Sequence, residues 1–126
     1  MKNILISAGD LSVQAELNDS DTARNIWDSL PIEGTANLWG DEIYFDISLE
    51  IDPEEDARAE VDIGDLGYWP LGPAFCIFFG RTPVSTGDKP KAYSPVNVFG
   101  RVTGDPALFK AVSQGVIVKV TAETSA

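Results

Sequence analysis

The run Ala74-Phe75-Cys76-Ile77-Phe78-Phe79 stands unbroken between Pro73 and Gly80. A short, continuous apolar stretch bounded by turn residues fits a strand buried on both faces. Such a strand needs partners along its edges and apolar cover above and below, and the rest of the chain must supply them. With 126 residues, 44% of them hydrophobic, the chain suits a single domain spanning positions 1–126.

The remaining pattern is largely that of short strands. Ile4 and Ile6, then Leu11, Val13, Ala15 and Leu17, alternate with polar residues on either side of Gly9-Asp10. This reads as a β-hairpin with a tight turn. Ala23, Ile26, Trp27 and Leu30 then recur at helical spacing behind the capping candidates Asp19, Ser20 and Asp21, and Pro31 ends that helix. Further strands are expected at Ile32–Leu38, Glu42–Ile47, Pro95–Thr103 and Val116–Ala122. Asp105-Pro106 opens a second short helix, with Leu108, Ala111 and Val112 as its buried stripe. About eight strands and two helices in so short a chain point to a closed or nearly closed barrel plugged by helices.

Composition removes whole classes of chemistry. The chain has no histidine and one cysteine, so no Ser/His/Asp or Cys/His triad, no His-ligated metal, no Cys-rich zinc site and no intrachain disulfide can be built. Lys and Arg number 9 against 20 Asp and Glu, a formal charge of −11 that repels nucleic acid and anionic membrane surfaces. The apolar start Ile4-Leu5-Ile6 is too short for a signal-peptide core, and no run is long enough to span a bilayer. A soluble cytoplasmic protein is the expectation, with a lone Cys76 suited to a reducing compartment. The pattern calls for no cofactor, and it leaves the oligomeric state open.

Two segments carry a resemblance. One runs from Ala15-Glu16-Leu17-Asn18-Asp19-Ser20 through Leu30-Pro31 to Trp39-Gly40-Asp41-Glu42-Ile43-Tyr44-Phe45. The other is Gly64-Asp65-Leu66-Gly67-Tyr68-Trp69-Pro70-Leu71-Gly72-Pro73, continuing to Ile77-Phe78-Phe79-Gly80-Arg81-Thr82-Pro83. In order and spacing they resemble the small prokaryotic cyclophilin-like domains over nearly the whole chain. The resemblance implies a mainly β fold, a closed cyclophilin-like antiparallel barrel with two short helices covering its ends. The wider superfamily includes prolyl isomerases, and Val96-Asn97-Val98-Phe99-Gly100-Arg101-Val102 resembles their His-Val-Val-Phe-Gly-Lys-Val strand. Val96 occupies the histidine position, Lys91 that of a tryptophan, and no arginine lies between Pro31 and Ala57, where the catalytic one would fall. The resemblance thus implies the scaffold without the usual isomerase residues.

Isomerisation of a proline bond needs an apolar pocket and a donor to the proline nitrogen. Tyr68, Trp69, Phe75 and Phe79 are candidates for an aromatic pocket that takes a small molecule or a peptide. Trp69 can equally plug a barrel end with Tyr68 packed beside it, and Trp27 and Trp39 read as packing residues. Arg81 or Arg101 could substitute as the donor, which makes a weak or atypical isomerase the alternative function, but surface positions paired with acids are the expectation for both. Glu42 and Tyr44 project from one side of a strand together with Asp46. On a cleft they could act as an acid/base pair or hold a cationic ligand; on solvent they form an ordinary polar face, the simpler expectation. Eleven of the twenty acids fall between Asp41 and Asp65, beside a single base, Arg58. Their spacing is not that of a calcium loop, so a solvated charge run is expected there. Cys76, in its apolar strand, reads as an inert core thiol. No catalytic residue and no metal ligand can be named from the sequence.

Overall fold

A computed structural model describes residues 2–123. The alternating residues before and after Gly9-Asp10 pair in register as the antiparallel strands β1 (Asn3–Ala8) and β2 (Leu11–Leu17). Helix α1 (Asp21–Asp28) starts at Ser20, whose hydroxyl accepts from Ala23 N at 3.1 Å and so satisfies one of the free N–H groups of the first turn. Ala23 and Ile26 enter the core, and Trp27 packs half-buried against it.

The other strands are β3 (Ile32–Thr35), β4 (Asn37–Leu38), β5 (Glu42–Asp46), β6 (Arg58–Glu60), β7 (Asp65–Trp69), β8 (Ala74–Phe78), β9 (Lys91–Val102) and β10 (Ile117–Glu123). They form one antiparallel sheet of ten strands in the order β3-β10-β1-β2-β9-β7-β8-β5-β4, with β6 paired to β9 beside that path. The expected closed barrel of about eight strands is corrected here, because among the described residues the sheet has ten strands and hydrogen bonds do not close it. Both edges come from one stretch of chain: β3 pairs with β10 and β4 pairs with β5. The change of partner falls at Ala36, which donates its N–H to Val116 and accepts from Gly115 N. The two edges are thus joined covalently, and no ladder runs between them.

The interior of this curved sheet carries Ile4, Ile6, Val13, Ala15, Leu17, Phe45, Phe75, Phe99, Val118 and Val120, all buried. Phe45 stacks on Phe75 at 4.9 Å, and Phe75 meets Phe99 edge-on at 5.1 Å. Pairs of this kind contribute about 0.5–1.5 kcal/mol each beyond the area they bury. The second helix is a 3-10 helix, Pro106–Ala111, capped by the Asp105 side chain. Its tighter winding brings Phe109 into the core and leaves Leu108 and Ala111 exposed, so of the expected stripe only Val112 is buried. No helix among the described residues is long and apolar enough to cross a membrane.

The sheet also has an apolar outer layer. Strand β9 is long: its second half lies in the main sheet beside β2 and β7, while its first half pairs with β6. Val61, Ala74, Cys76, Phe78, Ala92 and Val96 form a second buried cluster on that side. This outer layer explains why Ala74–Phe78 are buried at every position, as the unbroken run predicted.

Candidate functional site

Alternation along three adjacent strands sorts their side chains between the two layers. Ile43 and Phe45 on β5, Leu66 and Tyr68 on β7, and Phe75, Ile77 and Phe79 along and just beyond β8 belong to the inner core. Tyr44, Trp69 and Cys76 belong to the outer layer. The register places Tyr44 opposite Cys76, and Trp69 opposite Ala74.

Two local features complete an outer pocket. Trp39 and Glu42 exchange backbone hydrogen bonds, N–H to carbonyl, at 2.9 and 3.2 Å, across a tight turn in which Gly40 takes φ +60°. Residues paired in this way project to the same side of the ribbon, which brings Trp39 beside Glu42. On β9, the register slips between its pairings with Arg58 and Glu60, around Pro95, which has no N–H to offer. The slip lets Ala92, Tyr93 and Val96 all reach the same pocket. Val96 packs onto Gly67, where a Cβ would lie 2.8 Å from its Cγ2; the absence of a side chain there allows the approach.

The pocket has a volume of about 240 Å³ and is lined by Trp39, Glu42, Tyr44, Trp69, Cys76, Ala92, Tyr93 and Val96. Tyr93 stands between the two tryptophans, with ring centroids 6.4 Å from Trp39 and 6.2 Å from Trp69. The planes cross at 68° and 84°, so the three rings turn corners around the opening and do not form a flat wall. Trp69 Nε1 donates to Ser94 Oγ at 2.6 Å, which fixes the orientation of its ring. Tyr93 is 74% exposed and forms the rim.

Glu42 is only 6% exposed, and its Oε1 is the one buried side-chain oxygen among the described residues that has no hydrogen-bond partner. Burial raises its carboxyl from 4.5 to about 7; the neighbouring Cys76 thiol acts in the opposite direction but is weaker. Burial, followed by the nearby Glu42, pushes the Cys76 thiol well above its ordinary range, so it stays protonated. The arrangement offers a carboxyl group that is readily ionised near neutrality, set in apolar walls, with one lone-pair site unfilled.

Three of the sequence-predicted site residues, Glu42, Tyr44 and Trp69, meet in this pocket. The expectation of an ordinary solvent face is corrected for Glu42 and Tyr44, since the first half of β9 covers that side; Asp46 alone is exposed there. Tyr68, Phe75 and Phe79 do not line the pocket. Tyr68 is fully buried in the inner core, where its hydroxyl donates to Leu49 O at 2.8 Å and accepts from Ile51 N at 3.1 Å. Phe75 stacks in the same core, and Phe79 packs against Phe109. Trp39, Cys76, Ala92, Tyr93 and Val96 also line the pocket and are not among the site residues that the sequence marks. The hairpin register of Trp39 opposite Glu42 was a usable signal, whereas Tyr93 depends on the distant pairing of β6 with β9.

The acidic connection is more ordered than its composition suggests. Asn97, fully buried, donates to Asp52 O at 3.0 Å and to Thr22 Oγ1 at 3.1 Å, and accepts from Glu54 N at 2.8 Å. Thr22 Oγ1 in turn donates to Glu54. Most acids of the run nevertheless face solvent; Asp65 is buried, its carboxylate accepting from Asp62 N and lying 3.9 Å from Arg58. Arg81 and Arg101 are both exposed, as expected.

A family model described as Cyclophilin-like matches residues 2–121. The solution structure of a hypothetical protein from Archaeoglobus fulgidus is similar to this chain, with 38% sequence identity and a TM-score of 0.81. The alignment covers 97% of this chain and 95% of that one. A search of curated proteins gives no match.

Proposed function

We propose that this chain, which belongs to the cyclophilin-like family, uses the outer pocket to bind a small molecule or a peptide side chain and is not a proline isomerase. The observation that carries this reading is Glu42 Oε1, a buried acceptor without a partner facing an aromatic-walled space. A buried polar atom left unsatisfied costs about 1–3 kcal/mol, and a ligand that brings a donor removes that cost. Pockets that orient ligands commonly have this composition, apolar walls with a small number of polar groups.

The isomerase reading has less support. Val96 lines the pocket where that activity would place a histidine, and neither Lys nor Arg contributes to the lining among the described residues. A proline ring could enter, but the pocket holds no cationic donor for its nitrogen.

Amide NMR of the labelled protein against fragments of four kinds, amines, alcohols, amides and carboxylates, tests the proposal. Shifts concentrated at Trp39, Tyr44, Trp69, Cys76 and Tyr93, and lost in Trp69→Ala, are expected. Shifts confined to other regions would overturn it. A protease-coupled proline-peptide assay should show no acceleration over the uncatalysed rate.

A further inference from the structure

Three properties of the pocket together restrict what it can hold. Its unfilled polar site is an acceptor, so the ligand must donate a hydrogen there. Its walls are aromatic rings crossing at steep angles, and the π faces of such rings attract cations and disfavour anions. The long-range field points the same way: 20 acids against 9 bases draw positive ligands to the surface and repel negative ones.

We infer that the ligand is an alkylammonium group carrying at least one N–H, which donates to Glu42 Oε1 while its alkyl chain lies against Trp39, Trp69 and Tyr93. This rests on the pocket reading above and narrows it to one chemical class. A cavity of about 240 Å³ exceeds the room one water needs many times over, enough for a short alkyl chain with its ammonium head. A free primary or secondary amine of that size fits, and so does the end of a lysine side chain in a peptide. A quaternary ammonium satisfies the rings but has no hydrogen for Oε1, so it ranks below its N–H counterpart. A carboxylate satisfies neither.

The test uses four probes: n-butylammonium, butyltrimethylammonium and 1-butanol, which share a butyl chain, and butyrate, which has four carbons in all. Each is titrated into the intact protein at pH 8 and followed by amide NMR at Trp39, Trp69 and Tyr93. A blocked Gly-Lys-Gly peptide and its lysine-acetylated form make the second arm. Butylammonium is expected to bind at least tenfold more tightly than butanol, with butyltrimethylammonium between them and butyrate weakest. Glu42→Gln should erase the tenfold preference while leaving butanol binding intact, and the comparison among probes on the unaltered protein stands even if that variant folds poorly. Preference for the lysine peptide over its acetylated form, with weaker binding of butylammonium, supports the class and assigns it to a peptide source; the reverse assigns it to a free amine. Equal binding of butanol and butylammonium overturns the inference and leaves the pocket reading standing. No response at these residues from any probe overturns both.

Discussion

Tyr68 and Trp69 are neighbours in the chain and lie on opposite sides of one strand. Tyr68, in the inner core, has its hydroxyl satisfied twice by the backbone of the segment that follows β5. On the outer side, Trp69 shares the pocket with Glu42, one oxygen of which is satisfied by nothing. Both layers bury aromatic rings, yet the one unmet polar valence among the described residues lies in the outer layer. The inner layer thus reads as the part that holds the fold, and the outer layer as the part that can respond to a ligand.

Substitutions on the two sides should therefore separate stability from binding. Phe75→Ala is expected to have the largest effect, a loss of about 3–5 kcal/mol of folding stability measured by urea unfolding, because it opens a cavity among Phe45 and Phe99. A loss below about 1 kcal/mol would place Phe75 outside a tightly packed core.

Glu42→Gln should act in the opposite direction, and only at higher pH. The folded carboxyl titrates at about 7 against an ordinary 4.5, so between these values the unfolded chain binds fewer protons and stability falls as pH rises. The full penalty, about 3 kcal/mol from about 1.4 kcal/mol for each pH unit separating the two values, is present above the folded value and absent below the ordinary one. Urea unfolding at pH 8 should thus show Glu42→Gln stabilised relative to the parent, with the difference shrinking towards pH 4. The groups facing Glu42 in the pocket are Cys76, Tyr44 and Tyr93, and none carries a positive charge to reverse this sign.

Tyr68→Phe removes a hydroxyl that serves both Leu49 and Ile51, and about 1–3 kcal/mol of stability should go with it. Hydrogen exchange should quicken at Ile51, whose N–H loses its partner. Smallest in stability is Tyr93→Ala at the exposed rim, expected within about 0.5 kcal/mol of the parent. Its binding of n-butylammonium should nevertheless weaken several-fold, the clearest separation of the two layers.

Local patterns in the sequence carried much of the fold. The hairpin at Gly9-Asp10, the helix over Ala23 and Ile26, and the doubly buried run at Ala74–Phe79 all follow from spacing within a few residues. What was not legible depended on distant partners. Ile32–Leu38 reads as one strand, and only its two different neighbours, β10 and β5, divide it at Ala36. The stretch around Arg58–Glu60 has the composition of a solvated connection, and its pairing with β9 makes it a strand. The site was half legible for the same reason. Residue type marked Tyr68, Trp69, Phe75 and Phe79 together, although alternation alone forbids Tyr68 and Trp69 from facing one pocket. Which side would be open was decided by the first half of β9, far along the chain, and this is what turned Glu42 from a surface acid into a buried one.

The titration of the Glu42 carboxyl carbon, followed by 13C NMR with and without n-butylammonium, tests the central claim most directly. The free protein should show a midpoint near 7, displaced downward when the ammonium is added, because a cation beside Oε1 favours the ionised form. A midpoint near the ordinary 4.5, unmoved by the amine, would contradict both the burial of Glu42 and its role in a ligand site.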